Sequence, residues 1–457
     1  MNTKTITASF SEEMDPATLT TASFLLECPA GTPVTGGGTV TLAAGNVATF
    51  SIPTATRLPP CELCTATITT GAKDLDGKAL AANFIWTFYT SAIAVTAVVP
   101  LNNAVGVAIN TKKITAAFNE EMDPSTLTTA SFKLECPTGT PVTGGGPVTY
   151  LIKGSVATLP LPVSTNLPEN TLCTATITNE VTAVFGDSLP HFIWSFRTGI
   201  TPDTTRPSVI HTLPVTTNPG PTTGVPTNTA ITAVFSEDMI PATITAPGTF
   251  TLTGPGTTPV EGVSVPVTYA VGSRTAIFWP AAALAPGTTY TATITTAATD
   301  LADNALAGNQ ADLPAASYYE WAFTTAVTPV PPANVSVSSS SVNPAAGAHT
   351  VCPSATVSAT FIVPSGLRMD PLTVNTGSTF ILMGPDMAVV YGTVGLDAAT
   401  GRVATFTPIN PLSVGTYTFT IKGGASGVSD LAIPKNKMVN DFTWTFTVVP
   451  TGSCVAP

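Results

Sequence analysis

The sequence predicts an all-β chain of four tandem two-layer sandwiches, on three observations. First, one loop motif recurs: Phe10-Ser11-Glu12-Glu13-Met14-Asp15-Pro16, Phe118-Asn119-Glu120-Glu121-Met122-Asp123-Pro124 and Phe235-Ser236-Glu237-Asp238-Met239-Ile240-Pro241, with a worn fourth copy ending Met369-Asp370-Pro371. Second, each copy is followed by a Thr-rich strand pattern and closes on Trp-x-Phe, at Trp86/Phe88, Trp194/Phe196, Trp321/Phe323 and Trp444/Phe446. These Trp residues lie 108, 127 and 123 positions apart, so each unit is a whole domain and not a solenoid turn. Third, apolar residues alternate with polar ones, while 42 Pro and 36 Gly supply turns.

The second unit shows the elements in order. A leading strand falls within Ala94 to Ile109, and Ile114, Ala116 and Phe118 then mark one face of a half-buried strand. Phe132, Leu134 and Cys136 share a face of the next. Two short strands follow near Val148–Ile152 and Val156–Leu159, then Thr174-Ala175-Thr176-Ile177 and the Trp strand. About seven strands in ~105 residues suit an immunoglobulin-like sandwich. Tyr290 and Tyr417 stand where such sandwiches carry a tyrosine whose hydroxyl bonds back to the upstream chain. The expected domains are residues 1–91, 94–199, 205–326 and 333–457, joined by short spacers; the two later ones contain Pro and predict an extended rod. In domain 1, Asn2-Thr3-Lys4-x-Ile6 aligns with Asn110-Thr111-Lys112-x-Ile114, so nothing matches Ala94–Ile109. Domain 1 therefore lacks its first strand: either the chain is a piece of a longer precursor, or domain 1 borrows a strand.

Together these motifs resemble bacterial Ig-like domains of the surface-layer and adhesin type, which also occur ahead of ice-binding-type β-solenoid modules. The resemblance covers almost the whole chain and is specific for fold, not for function. It implies a non-catalytic extracellular or cell-surface stalk or adhesin segment that spaces or presents another module. Two alternatives stay open: a self-assembling filament subunit in which domain 1 accepts a neighbour's strand, and a glycan-binding or accessory region of a secreted enzyme. The expected partners are copies of the chain or an adjoining module, with surface glycans as a further option.

The repeats also sort the seven cysteines. Cys28 and Cys136 occupy one position and Cys64 and Cys173 another; in units three and four both change together, to Gly254 with Tyr290 and Gly384 with Tyr417. Two thiols exchanged for one large and one empty side chain imply positions that touch across the core. Disulfides Cys28–Cys64 and Cys136–Cys173 follow, with Cys352–Cys454 as a third and Cys61 left free. Such bridges imply an oxidising compartment, hence a secreted or cell-surface protein, although the sequence opens without a signal peptide.

Only 9% of residues are charged and the net charge is −11, which leaves no basic stripe for nucleic acid or anionic lipid. No apolar run reaches the ~18–20 residues that a membrane helix needs. His191, His211 and His349 are scattered and no nucleophile, phosphate-loop or dinucleotide motif occurs, so no enzyme or cofactor is expected. Carboxylates are the candidate ligands. The motif loop (Glu12, Asp15, Glu120, Asp123, Glu237) and the loop before the last strand (Asp74, Asp76, Asp187, Asp300, Asp303) should meet at one pole of each sandwich. Convergent oxygens there suit calcium; the competing reading makes these residues turn formers, with Met14, Met122 and Met239 plugging the sandwich end. The Thr rows read as ordinary solvent-facing strand positions. Trp279, which occurs in one unit alone, is expected to be exposed.

Overall fold

The computed structural model describes residues 5–454 except 35–37, 44–45, 54–55, 57, 60–62, 91–92, 185, 218–219, 329–330, 332, 387 and 425. Cys61 lies outside the described residues. The chain divides into two compact units, Met1–Ala92 and Ile93–Pro457.

Unit one is domain 1: β1 (Thr5–Ser9), β2 (Phe24–Glu27), β3 (Thr39–Ala43), β4 (Val47–Ser51), β5 (Leu63–Ile68) and β6 (Phe84–Tyr89). They form two three-stranded sheets, ordered β1-β4-β3 and β2-β5-β6. The period-two pattern sends Ile6, Phe24, Leu26, Phe50 and Ile68 into the space between them.

In unit two, domain 2 repeats that plan with one addition, β7 (Val95–Val99), ahead of β8 (Lys113–Phe118), β9 (Phe132–Glu135), β10 (Thr149–Leu151), β11 (Val156–Pro160), β12 (Leu172–Ile177) and β13 (Phe192–Arg197). Strand β7 extends the first sheet to β7-β8-β11-β10. The leading strands Val209–Leu213 and Ser336–Asn343 do the same for domains 3 and 4, on Ile231–Phe235 and Val357–Ile362. The chain then crosses to the other sheet. Thr222–Val225 and Ala348–Val351 run parallel to the last strand of their domains, and domain 2 keeps this as one bridge between Val107 and Thr198.

The recurring loop does the same structural work in each copy. Asp15, Asp123 and Asp370 accept a bond from the backbone two residues on and cap a short 3-10 turn. In domain 3, Ile240 replaces the Asp and the turn lacks a side-chain cap. Met14, Met122, Met239 and Met369 are buried, closing the end of each sandwich. The tyrosine position behaves as its register suggests: Tyr290 Oη accepts from Ala285 N at 2.9 Å, and Tyr417 Oη bonds to Ser413 O at 2.9 Å.

Within residues 93–457 the spacers do not hold the domains apart. Ala97, Val99, Ala117 and Val156 of domain 2 belong to the same apolar cluster as the core of domain 3. Where Ala97 approaches Gly272, a Cβ on that glycine would lie 3.3 Å from the Ala97 methyl, so a small residue lets the two domains close. Trp279 is also not exposed. It is 9% accessible and packs with Leu213, Ala230 and Ile277 against Leu431 of domain 4. Its indole donates to Thr268 Oγ1 at 3.0 Å, and Lys435 Nζ sits 4.7 Å from the ring centroid. Apolar burial between neighbours outweighs the stiffness of a Pro-containing spacer.

Candidate functional site

Two places depart from the plain repeat: an acidic joint and an open sandwich edge.

The joint lies between domains 2 and 3. As the sequence predicts, the two loops of each pole meet, through isolated bridges Met14–Asp74, Met122–Ala183, Met239–Asp300 and Met369–Asp430. Most of the candidate carboxylates there are structural. Asp15 and Asp123 are the caps already described, and hydrogen bonding to Ser125 holds the Asp123 carboxyl below its usual range. Asp74 Oδ1 accepts from the Asp76 and Lys78 amides. Asp303 pairs with Lys113 at 3.0 Å. Glu12 and Asp76 are exposed, while Glu120 and Asp187 are half-buried.

Glu237 and Asp300 do come together, and their third partner is Asp203 from the spacer, which the motif analysis did not single out. Among the described residues this is the one group of three whose ligand atoms all lie within 4.8 Å of one another. The spacer is pinned there: Asp203 N donates to Asn110 Oδ1 at 2.6 Å, and Asn110 Nδ2 donates to Asp203 O at 2.8 Å. Asp300 is buried, and its carboxylate accepts from the Ala302 and Asn304 amides and from Asn304 Nδ2. Burial raises the Asp300 carboxyl despite those bonds.

Glu237 is pushed up to about 8, by burial first and then by the charges of Asp300 and Asp203, with Arg274 pulling the other way. Arg274 is itself engaged by Asp238, Nε to Oδ1 at 2.7 Å. A crowded set of this kind holds either a proton or a cation. Because the ordinary Glu value is 4.5, the folded chain keeps a proton between pH 4.5 and about 8 that the unfolded chain has released. Stability from this group is full below 4.5 and is lost as pH rises through 8. Glu237→Gln should therefore raise the melting temperature of domain 3 at pH 8.5 by a few degrees, about what somewhat under 1 kcal/mol does in such a domain. At pH 4 it should change little; a shift of equal size at both pH values would show that proton linkage is not the cause. The same pH 8.5 melt with added calcium tests the cation.

The second place is domain 1. In domain 2 the leading segment is core: Ile93, Val95 and Val98 are buried beside Trp194 and Phe196, which are 1% and 0% exposed. Domain 1 has no equivalent of this segment among the described residues. Among the described residues, strand β1 pairs with β4 alone and β6 with β5 alone. The aromatics that the segment would cover are correspondingly open: Phe84 is 59% exposed, and Trp86, Phe88 and Phe10 are only partly buried. A groove of about 730 Å³ results, with Ala8, Phe10, Met14, Ile68, Phe84 and Trp86 along it.

The three expected pairings are the disulfides found among the described residues: Cys28–Cys64, Cys136–Cys173 and Cys352–Cys454. The first two tie β2 to β5 and β9 to β12 across adjacent strand ends, and the third joins the segment after Ala348–Val351 to the chain beyond the last strand. No helix among the described residues is long and apolar enough to cross a membrane.

Four stretches, residues 1–90, 89–198, 203–325 and 333–448, match the bacterial Ig-like domain family. No curated protein matches the chain. Among solved structures, CopC from Methylosinus trichosporium OB3b is 17% identical over 26% of this chain and 95% of its own, with a TM-score of 0.20. The N-terminal part of the bacterial S-layer protein SbsC is 16% identical over 53% of this chain and 44% of its own, TM-score 0.20. Domains 1-6 of surface layer protein SbsC are 12% identical over 100% of this chain and 53% of their own, TM-score 0.18.

Proposed function

Since the chain belongs to the bacterial Ig-like domain family, we propose that it is a non-catalytic structural segment of a secreted or cell-surface protein, spacing or presenting another module. The observation that carries this reading is a clasp repeated at both joints inside residues 93–457. Lys112 N donates to Leu301 O at 2.8 Å, and at the next joint Ala230 N donates to Leu431 O at 3.0 Å. Ile433 N adds a bond to Asn228 O at 2.7 Å. Both clasps use the strand start of one domain, Asn110-Thr111-Lys112 or Asn228-Thr229-Ala230, against the acidic-pole loop of the next. Main-chain bonds at a fixed register hold neighbouring domains as one piece, which suits a part that carries load. Three disulfides in a chain of this class favour an oxidising, extracellular setting.

Domain 4 adds a mechanical lock. The Cys352–Cys454 bridge joins cysteines 102 positions apart, so tension applied at the two ends passes through the bridge and bypasses the strands between them. Pulled as single molecules, oxidised chains should extend by roughly 35 nm less from this domain than reduced ones, at about 3.4 Å per residue. Oxidised and reduced chains that yield at the same force and length would remove the load-bearing reading. The open groove of domain 1 favours a second role, assembly by strand addition.

A further inference from the structure

We propose that the seam between domains 3 and 4 binds one small anion, chloride, between the buried guanidinium of Arg368 and the hydroxyl of Thr232. Both side chains line a cavity in that seam, with Thr275, Met369, Gly401 and Leu431 around them. About 10 Å³ of it is open to the centre of a water-sized sphere. That is room for one water or one monatomic ion and nothing larger.

The charge comes from a reversal within the repeat. Asp238 and Arg368 each precede the buried Met of the motif loop, Met239 or Met369. Arg274 and Arg402 are likewise equivalent, because Phe235 N donates to Arg274 O and Phe361 N donates to Arg402 O. In domain 3 these two places hold a salt bridge, Arg274 with Asp238. In domain 4 they hold two guanidiniums. Arg368 is 8% exposed and makes no ion pair among the described residues. Its side chain donates through Nη2 alone, to the carbonyls of Asp397 and Ala398. The Asp397 carboxylate is one negative charge beside two positive ones, and it already accepts from the amides of Thr400, Arg402 and Val403. Burial holds the Arg368 guanidinium below the usual arginine range; Asp397 opposes this and the like charge of Arg402 adds to it. A buried cation short of a counter-charge is costly until one is supplied.

The second donor comes from domain 3. Ile231, Ala233 and Phe235 belong to the core of that domain, so the period of two turns Thr232 to the opposite face of the sheet. Domain 4 covers this face: Leu431 packs with Leu213 and Ile277, the cross-strand neighbours of Thr232. Thr232 is 1% exposed, and its hydroxyl has no hydrogen-bond partner. The nearby Thr275 is already engaged, its Oγ1 donating to Ser273 O at 2.8 Å. An orphaned hydroxyl and an under-neutralised cation on one cavity fit the same guest, an acceptor that carries negative charge. Water would satisfy the hydroxyl and leave the charge uncompensated.

The test compares the full chain in sodium chloride and in sodium gluconate at equal ionic strength, because gluconate is too large for the cavity. At about ten times its Kd, chloride should slow amide exchange in Ile231–Phe235 about tenfold. The chlorine nuclear resonance should broaden in the presence of the chain. Arg368→Met should abolish both effects. Thr232→Val keeps the side-chain shape and should weaken chloride binding about tenfold, the loss expected for a hydrogen bond to a charged group. It also reads the site if Arg368→Met does not fold. Equal exchange in the two salts overturns the proposal and leaves the cavity to water. Chloride binding of unchanged strength in either variant overturns it as well.

Discussion

Trp194→Ala should cost domain 2 about 3–5 kcal/mol, the range for emptying a large buried aromatic site, while Trp86→Ala should cost domain 1 less than half as much. The two residues hold the same place in the same strand pair, opposite Ala175 in one case and Ala66 in the other. Their surroundings differ by one segment. Trp194 is 1% exposed beneath Val95 and Val98, whereas Trp86 borders an open groove. Truncating a side chain that water already reaches leaves a smaller cavity and forfeits less transfer free energy. Amide exchange on the full chain resolves the domains separately, reading β12 and β13 for one variant and β5 and β6 for the other. Equal losses would mean that the leading segment contributes nothing to the core of domain 2.

The second large effect belongs to the Cys352–Cys454 bridge. Cys352→Ser with Cys454→Ser should destabilise domain 4 by about 4–5 kcal/mol, against about 3–4 kcal/mol for losing either shorter bridge, because the restriction of the unfolded chain grows with the enclosed loop. The loops separate their cysteines by 102, 36 and 37 residues. Thermal melts with and without reductant measure the difference, and the domain 4 transition should move furthest. A larger shift in domain 1 or 2 would place the effect in the native packing instead of the unfolded chain.

Much of the site was legible in the chain, and what was not has a common cause. Cys28 and Cys64 could be paired because two other repeats change both positions together, to Gly254/Tyr290 and Gly384/Tyr417. Asp203 was missed because it stands in a spacer, outside any repeat, and meets Glu237 and Asp300 only once domain 2 has closed on domain 3. Trp279 has no counterpart in the other units, so nothing marked it as buried, and its cover includes Leu431 from the next domain.

The sequence by itself determined the four-fold repeat, the alternation that builds each sandwich and the disulfide partners. These rest on local periodicity, or on comparing one copy with another, and both are written along a single stretch of chain. Only the tertiary structure decided that domains 2 to 4 pack together, that Glu237 holds its proton to about pH 8, and that domain 1 carries a groove lined by Phe84 and Trp86. Those depend on which surfaces meet, and desolvation and apolar burial act between atoms that are near in space however far apart they lie in the chain.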